Sequence, residues 1–221
     1  MFCSLQLSAI SIGVAYKGEL QVGVIMDPFA GEIFSACLGG GAHVNFAPMS
    51  VGEEATGEEA VVVTGYGALA ESADAMIKGM KVRVLRSLLV SLPYEYSSPN
   101  TQIPPNYDYR SLTNHLCSVL QALTDYPVRS VRMLGSAAIM LAWVAAGRLT
   151  AYFECDLNAW DTAAGALLVR EAGGTMTDLV TGEEYNLQTR AIMASNGKTH
   201  EALRTCLVDG GVRSLADYFK Q

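Results

Sequence analysis

The chain has 221 residues, half of them hydrophobic, 17% charged and 8% aromatic; that supports a substantial core and excludes a disordered or collagen-like chain. Fifteen lysines and arginines against 22 aspartates and glutamates give a formal charge of −7, so neither nucleic acid nor an anionic membrane surface is an expected partner. Five cysteines, odd in number and without a CxxC pair, indicate neither a disulfide framework nor a zinc site, and without a long apolar span or a signal peptide a cytoplasmic protein is expected, unless an organellar targeting peptide once preceded Met1.

Short alternating runs, broken by Lys17-Gly18, Asp27-Pro28 and Gly39 to Gly41, predict antiparallel strands at 8–16, 19–26 and 32–38. The glycine triplet reads as a hairpin turn and not as a phosphate cradle, because no Lys-Ser or Lys-Thr follows it. The run AVVVTGY at 60–66 predicts a strand buried on both faces. Next comes a basic stretch, then Pro93, Pro99, Pro104 and Pro105, which exclude regular structure and predict an inserted surface loop over 80–112. Lys78, Lys81, Arg83 and Arg86 are expected on a solvated face, and His43, His115 and His200, far apart in sequence, as ordinary surface histidines.

A helix is predicted at 113–124 and a strand at 128–134. SAAIMLAWVAAG follows as an apolar helix with Ser136 at its cap and Gly147 at its stop, its Met140, Leu141 and Trp143 expected in the core. LTAYFE is a strand, DTAAGALLVREAGG a helix from Asp161 to Gly173-Gly174, TMTDL and RAIMASN are strands, and KTHEALRTCLVD a last helix. The chain thus divides into an antiparallel-sheet part at 1–79, the loop at 80–112, and an α/β part at 113–221.

Glu154 ends a strand, and Asp161 opens a helix seven residues later, so both carboxylates reach the carboxyl edge of a sheet, where open α/β folds bind ligands. Taken alone, the simplest reading is structural, with Asp161 as a helix N-cap and Glu154 as an exposed strand end.

At these residues the chain resembles the inositol monophosphatase family of Mg²⁺-dependent, lithium-sensitive phosphomonoesterases. Trp160, Asp161, Ala163, Ala164, Gly165, Glu171, Ala172, Gly173 and Gly174 reproduce its W-D-x-A-A-G-x-x-x-x-x-E-A-G-G signature. VRSVRMLGSAAIMLAWVAAGRLTAYFE is similar to its R-x-x-G-[ST]-A-A segment and the strand after it, and residues 11–45 to its hairpin region. The resemblance implies an α/β (α+β layered) fold, an αβαβα sandwich of the inositol monophosphatase and fructose-1,6-bisphosphatase type, here expected to lack its N-terminal helices and first strands. It implies Asp161 as a Mg²⁺ ligand, Glu154 as the acceptor for a hydroxyl of the sugar or cyclitol, and Gly135, Ser136 and Ala137 as the loop that positions that ring.

The family's earlier metal region, a G-E-E motif followed by D-P-[IL]-D-G-T-x-N-F, has no match in the sequence: the G-E-E triplets at 52–54 and 57–59 come after the hairpin region with no such continuation, and Asp27-Pro28 lacks the D-G-T. The chain is therefore expected to be an N-terminally truncated member that turns over little by itself. An uncovered strand edge is expected in its first part, and a better-formed fold in its α/β half. The implied substrate is a small phosphorylated polyol or sugar such as myo-inositol 1-phosphate, and a homodimer is the implied assembly. The alternatives are a sugar-1-phosphate or histidinol-phosphate phosphatase of the same family, or a non-catalytic remnant acting as a dimerisation or regulatory partner.

Overall fold

The structure is a computed structural model that describes residues 7–65, 128–210 and 212. The predicted loop at 80–112, the helix at 113–124, His115 and the basic set from Lys78 to Arg86 lie outside the described residues.

The first sheet is an antiparallel meander in the order β1 (Ile10–Tyr16), β2 (Glu19–Asp27), β3 (Glu32–Cys37), β4 (Ala42–Val44) and β5 (Ala47–Met49). Tyr16 pairs with Glu19 across Lys17 and Gly18, whose φ values of 51° and 85° make the two-residue turn that suits twisted strands. Asp27 is buried and does turn work: its Oδ1 accepts the Phe29 and Ala30 N–H groups at 2.9 and 3.0 Å. The glycine triplet forms the β3–β4 hairpin turn, as predicted.

A short 3₁₀ turn (Gly57–Glu59) leads into the second sheet, with strand order β7-β6-β8-β10-β9. Its members are β6 (Val61–Thr64), β7 (Ser130–Met133), β8 (Ala151–Glu154), β9 (Thr175–Asp178) and β10 (Ile192–Ser195). β6 runs parallel to both β7 and β8, while β10 is antiparallel to β8 and β9. Three helices complete the described elements: α1 (Ala137–Ala145), α2 (Ala159–Glu171) and α3 (His200–Asp209). α1 ends where predicted, on Gly147 at φ 69°, a left-handed position that a residue with a Cβ rarely adopts.

The layers follow from which side chains share a core. Ile25 and Phe34 of the first sheet, Leu141 and Val144 of α1, Leu167 and Leu168 of α2, and Val63, Tyr152 and Ile192 of the second sheet form one buried cluster. Val62, Phe153 and Met193, on the other face of the second sheet, meet Leu203 and Leu207 of α3. Both faces of β6 are therefore covered, as its apolar run predicts. The order is sheet, α1 with α2, sheet, α3, which is four of the five layers of the sandwich. The first sheet shares the main core with the α/β half through Ile25 and Phe34.

Its outer face is open among the described residues: Ile10, Ile12, Val14 and Tyr16 of the edge strand β1 are exposed. Among the described residues β1 pairs on one side only, with β2. No described helix is long and apolar enough to cross a membrane.

Candidate functional site

Parallel pairing of β6 with β7 and β8 brings three carboxyl ends to one edge of the second sheet. Gly65 follows β6, the loop from Leu134 to Ser136 joins β7 to α1, and Glu154 closes β8. The Leu134 N–H bonds the Thr64 carbonyl at 3.0 Å, so the loop leaves the sheet in register with β6.

Each expected residue can now be placed. Gly135 is exposed, and a Cβ built there would meet nothing within 4 Å. Ser136 is the N-cap of α1, its Oγ accepting from Ile139 N–H at 3.5 Å, and Ala137 is the first helical residue. The loop thus presents open backbone at the start of a helix, a surface suited to polar ligand oxygens.

Two structural readings from the sequence need correction. Glu154 is not an exposed strand end; it is only 6% exposed. Asp161 is not the N-cap. Helix α2 begins two residues earlier, at Ala159, with Asn158 as its cap, and the Asp161 carboxylate turns back to accept Asn158 N–H at 2.9 Å. That bond satisfies one of the donors orphaned at a helix start, so the helix gains two residues before Asp161. Asp161 is half-buried, and one of its oxygens, Oδ1, is not used by this bond.

The segment between the two carboxylates is pinned. Leu157 N–H bonds the Arg190 carbonyl at 2.9 Å, and Arg190 pairs with Asp156 at 2.5 Å, holding Asp156 at φ 65°. Both acidic groups are consequently fixed by backbone contacts on either side.

Glu154 lies against two residues that the sequence reading passed over. The fully buried Tyr152, two positions earlier on the same strand face, donates its hydroxyl to Glu154 Oε2. A Cβ at Gly65 would run into the same oxygen, Oε2, first, and would sit 2.6 Å from Cδ and 2.9 Å from Oε1. Burial pushes the Glu154 carboxyl up to about 7; the Tyr152 hydrogen bond opposes this and the nearby charge of Asp161 reinforces it. Burial and the Glu154 charge drive the Tyr152 phenol well above its usual value, so it stays a donor. Trp160, beside Asp161, is 74% exposed, an unusual setting for a tryptophan.

The histidines separate. His200, expected at the surface, is buried: Ser195 Oγ lies 2.8 Å from Nδ1 and Thr177 Oγ1 2.9 Å from Nε2. It joins α3 to β10 and β9, away from the two carboxylates. Among the described residues no group of three or more His, Cys, Asp or Glu side chains could hold a metal ion. With Asp161 also engaged by Asn158, the described residues do not by themselves form a metal centre.

The profile of the inositol monophosphatase family matches residues 3–210. The chain is 32% identical to the Nus factor SuhB of Escherichia coli over 213 residues, covering 96% of this chain and 63% of that protein. It is also 32% identical to the inositol-1-monophosphatase of Synechocystis over 204 residues, covering 92% of this chain and 57% of that protein. Among solved structures, the inositol monophosphatase of Anabaena (Nostoc) superposes with a TM-score of 0.66 at 31% identity, covering 95% of this chain and 66% of that one. SuhB of Bartonella henselae gives a TM-score of 0.69 at 28% identity, covering 92% and 62%. The chain spans about three fifths of the length of the curated relatives it matches.

Proposed function

This chain belongs to the inositol monophosphatase family, and from that premise we propose that the site at Glu154 and Asp161 serves hydrolysis of a small phosphate monoester with ring hydroxyls, myo-inositol 1-phosphate being the leading substrate. The observation that carries this reading is the delivery of both carboxylates by one strand, loop and helix to the carboxyl end of parallel strands, beside an open glycine loop.

The roles follow from the chemistry of each group. Glu154, desolvated and held, accepts a hydrogen bond from a ring hydroxyl, an interaction that strengthens as its carboxyl, pushed up to about 7 by burial, ionises. Gly135, Ser136 and Ala137 offer backbone to the same ring. Asp161, with Oδ1 available, is the carboxylate directed at Mg²⁺, which neutralises phosphoryl charge when bound. Among the described residues no further group of metal-binding side chains joins Asp161.

Phosphate release from a panel of myo-inositol 1-phosphate, a sugar 1-phosphate and histidinol phosphate, with and without Mg²⁺, tests the reading. Release from the cyclitol ester above the other two supports it; a preference for either rival reassigns the substrate within the family. Asp161→Asn keeps an oxygen for Asn158 N–H, so any activity should vanish while thermal stability changes by less than about 1 kcal/mol. Wild-type turnover in that variant rules out the metal role.

The similarity to proteins named Nus factor SuhB supports a second reading, a non-catalytic partner. Titration calorimetry with Mg²⁺ separates the two: weak binding and no phosphate release support the partner role, whereas micromolar affinity supports the phosphatase.

A further inference from the structure

We propose that Tyr152 and Gly65 are positioning residues that fix the Glu154 carboxylate in advance for a substrate hydroxyl. The inference rests on the reading of Glu154 as the ring-hydroxyl acceptor and adds how that acceptor is aimed.

The arrangement is dictated by strand geometry. Tyr152 and Glu154 are two residues apart on β8, so their side chains leave the same face of the sheet. β6 pairs alongside, with Val63 opposite Tyr152 and Thr64 opposite Phe153, which places Gly65 beside Glu154. Tyr152 is fully buried, so its ring has no room to swing and its hydroxyl is a fixed donor to Oε2. Any side chain at 65 would occupy the space of the carboxylate, since even a Cβ approaches Cδ to 2.6 Å.

Among the described residues Glu154 is therefore held through Oε2 by Tyr152 and backed by the bare backbone of Gly65, and Oε1 takes part in neither contact. Among the described residues Tyr152 is the carboxylate's hydrogen-bond donor. A glutamate of this kind has already lost its rotamer freedom before a ligand arrives, and this improves both affinity and the accuracy of placement. Replacing Tyr152 by Phe removes the donor and leaves the ring's packing in place. Replacing Gly65 by Ala removes the space and leaves the donor.

The test compares wild type, Tyr152→Phe and Gly65→Ala in two measurements. The first is the Kd for myo-inositol 1-phosphate and for phenyl phosphate, an ester without ring hydroxyls, by calorimetry with Mg²⁺ present. Each variant should weaken the cyclitol ester roughly tenfold, the cost of about one charge-assisted hydrogen bond, and leave phenyl phosphate nearly unchanged. A purely structural role would weaken both esters together, and an unchanged ratio overturns the proposal. The second is a crystal structure of each variant, in which the carboxylate should leave its position against residue 65. A carboxylate that stays in place in both variants also overturns it. If wild type does not favour the cyclitol ester, the reading of Glu154 as ring acceptor fails, and the crystal structures still decide whether Tyr152 and Gly65 position it.

Discussion

Gly23 of β2 lies directly against Ala164 of α2: a Cβ added at Gly23 would stand 2.6 Å from the Ala164 carbonyl oxygen and 3.1 Å from its Cα. Its register partner on β1, Gly13, meets the Ala163 side chain in the same way, at 2.9 Å. Two paired glycines thus form the groove in which the Asp161-bearing helix sits. Gly23→Ala should cost about 1–3 kcal/mol, the usual penalty for overpacking a tight contact, read as a lower urea midpoint with an unchanged slope. An unaltered midpoint would show that the helix yields without cost.

Glu171, at the other end of α2, explains a second part of the family signature. Its two oxygens accept Gly39 N–H and Gly41 N–H, each at 2.9 Å, clamping the β3–β4 turn to the helix. Both bonds are charge-assisted but partly solvated, so Glu171→Ala should destabilise by about 1–2 kcal/mol. Hydrogen exchange at the amides of Gly39 and Gly41 should quicken markedly, while amides of β10 keep their protection. Equal exchange in both proteins would count against the clamp.

His200 makes stability depend on pH in a defined direction. Burial lowers its pKa below 6.5; Glu201 works against this and Arg204 with it. The unfolded chain therefore binds the proton first as pH falls, so the stability held above about pH 6.5 is lost on going below it. His200→Gln retains hydrogen-bonding capacity without titrating. The melting temperature of wild type minus that of this variant should rise between pH 5 and about pH 7, and a flat difference would refute the assignment.

Glu154 behaves with the opposite sign. Its carboxyl, raised from 4.5 to about 7 chiefly by burial, favours the protonated form in the folded state, so stability falls as pH rises across that interval. Glu154→Gln should match wild type near pH 4 and exceed it at pH 8 by roughly 2–3 kcal/mol. The same change should weaken binding of a hydroxylated ester. Greater stability at pH 4 than at pH 8 for the variant relative to wild type would invert the sign and reject the buried-carboxylate account.

Local signals explain which parts of this fold were legible in the sequence. Lys17-Gly18, Gly147 and Gly173 demand particular backbone shapes, and the apolar runs of β6 and α1 have one sensible environment each. The family resemblance supplied the roles of Asp161, through the signature, and of Glu154, through the strand before it. What escaped depends on partners distant along the chain. His200 sits among polar neighbours at a helix start, and only Thr177 and Ser195, brought up by the second sheet, make it a buried residue. Glu171 meets glycines some 130 positions earlier. Gly65 resembled any strand terminus until Glu154 was packed on it. The true start of α2 was signalled, since Asn158 precedes Asp161 by three residues in the spacing of a capping box, but the conspicuous aspartate drew the boundary to itself.

The strand β1 has seven residues, none charged and none proline, and among the described residues it pairs on one side only while Ile10, Ile12 and Val14 stand exposed. It carries none of the lysines or prolines that commonly keep a sheet border from recruiting foreign backbone. Colloidal behaviour should consequently be governed by encounters between molecules: turbidity rising steeply with concentration, and a single lysine in place of Ile12 enough to keep the solution clear.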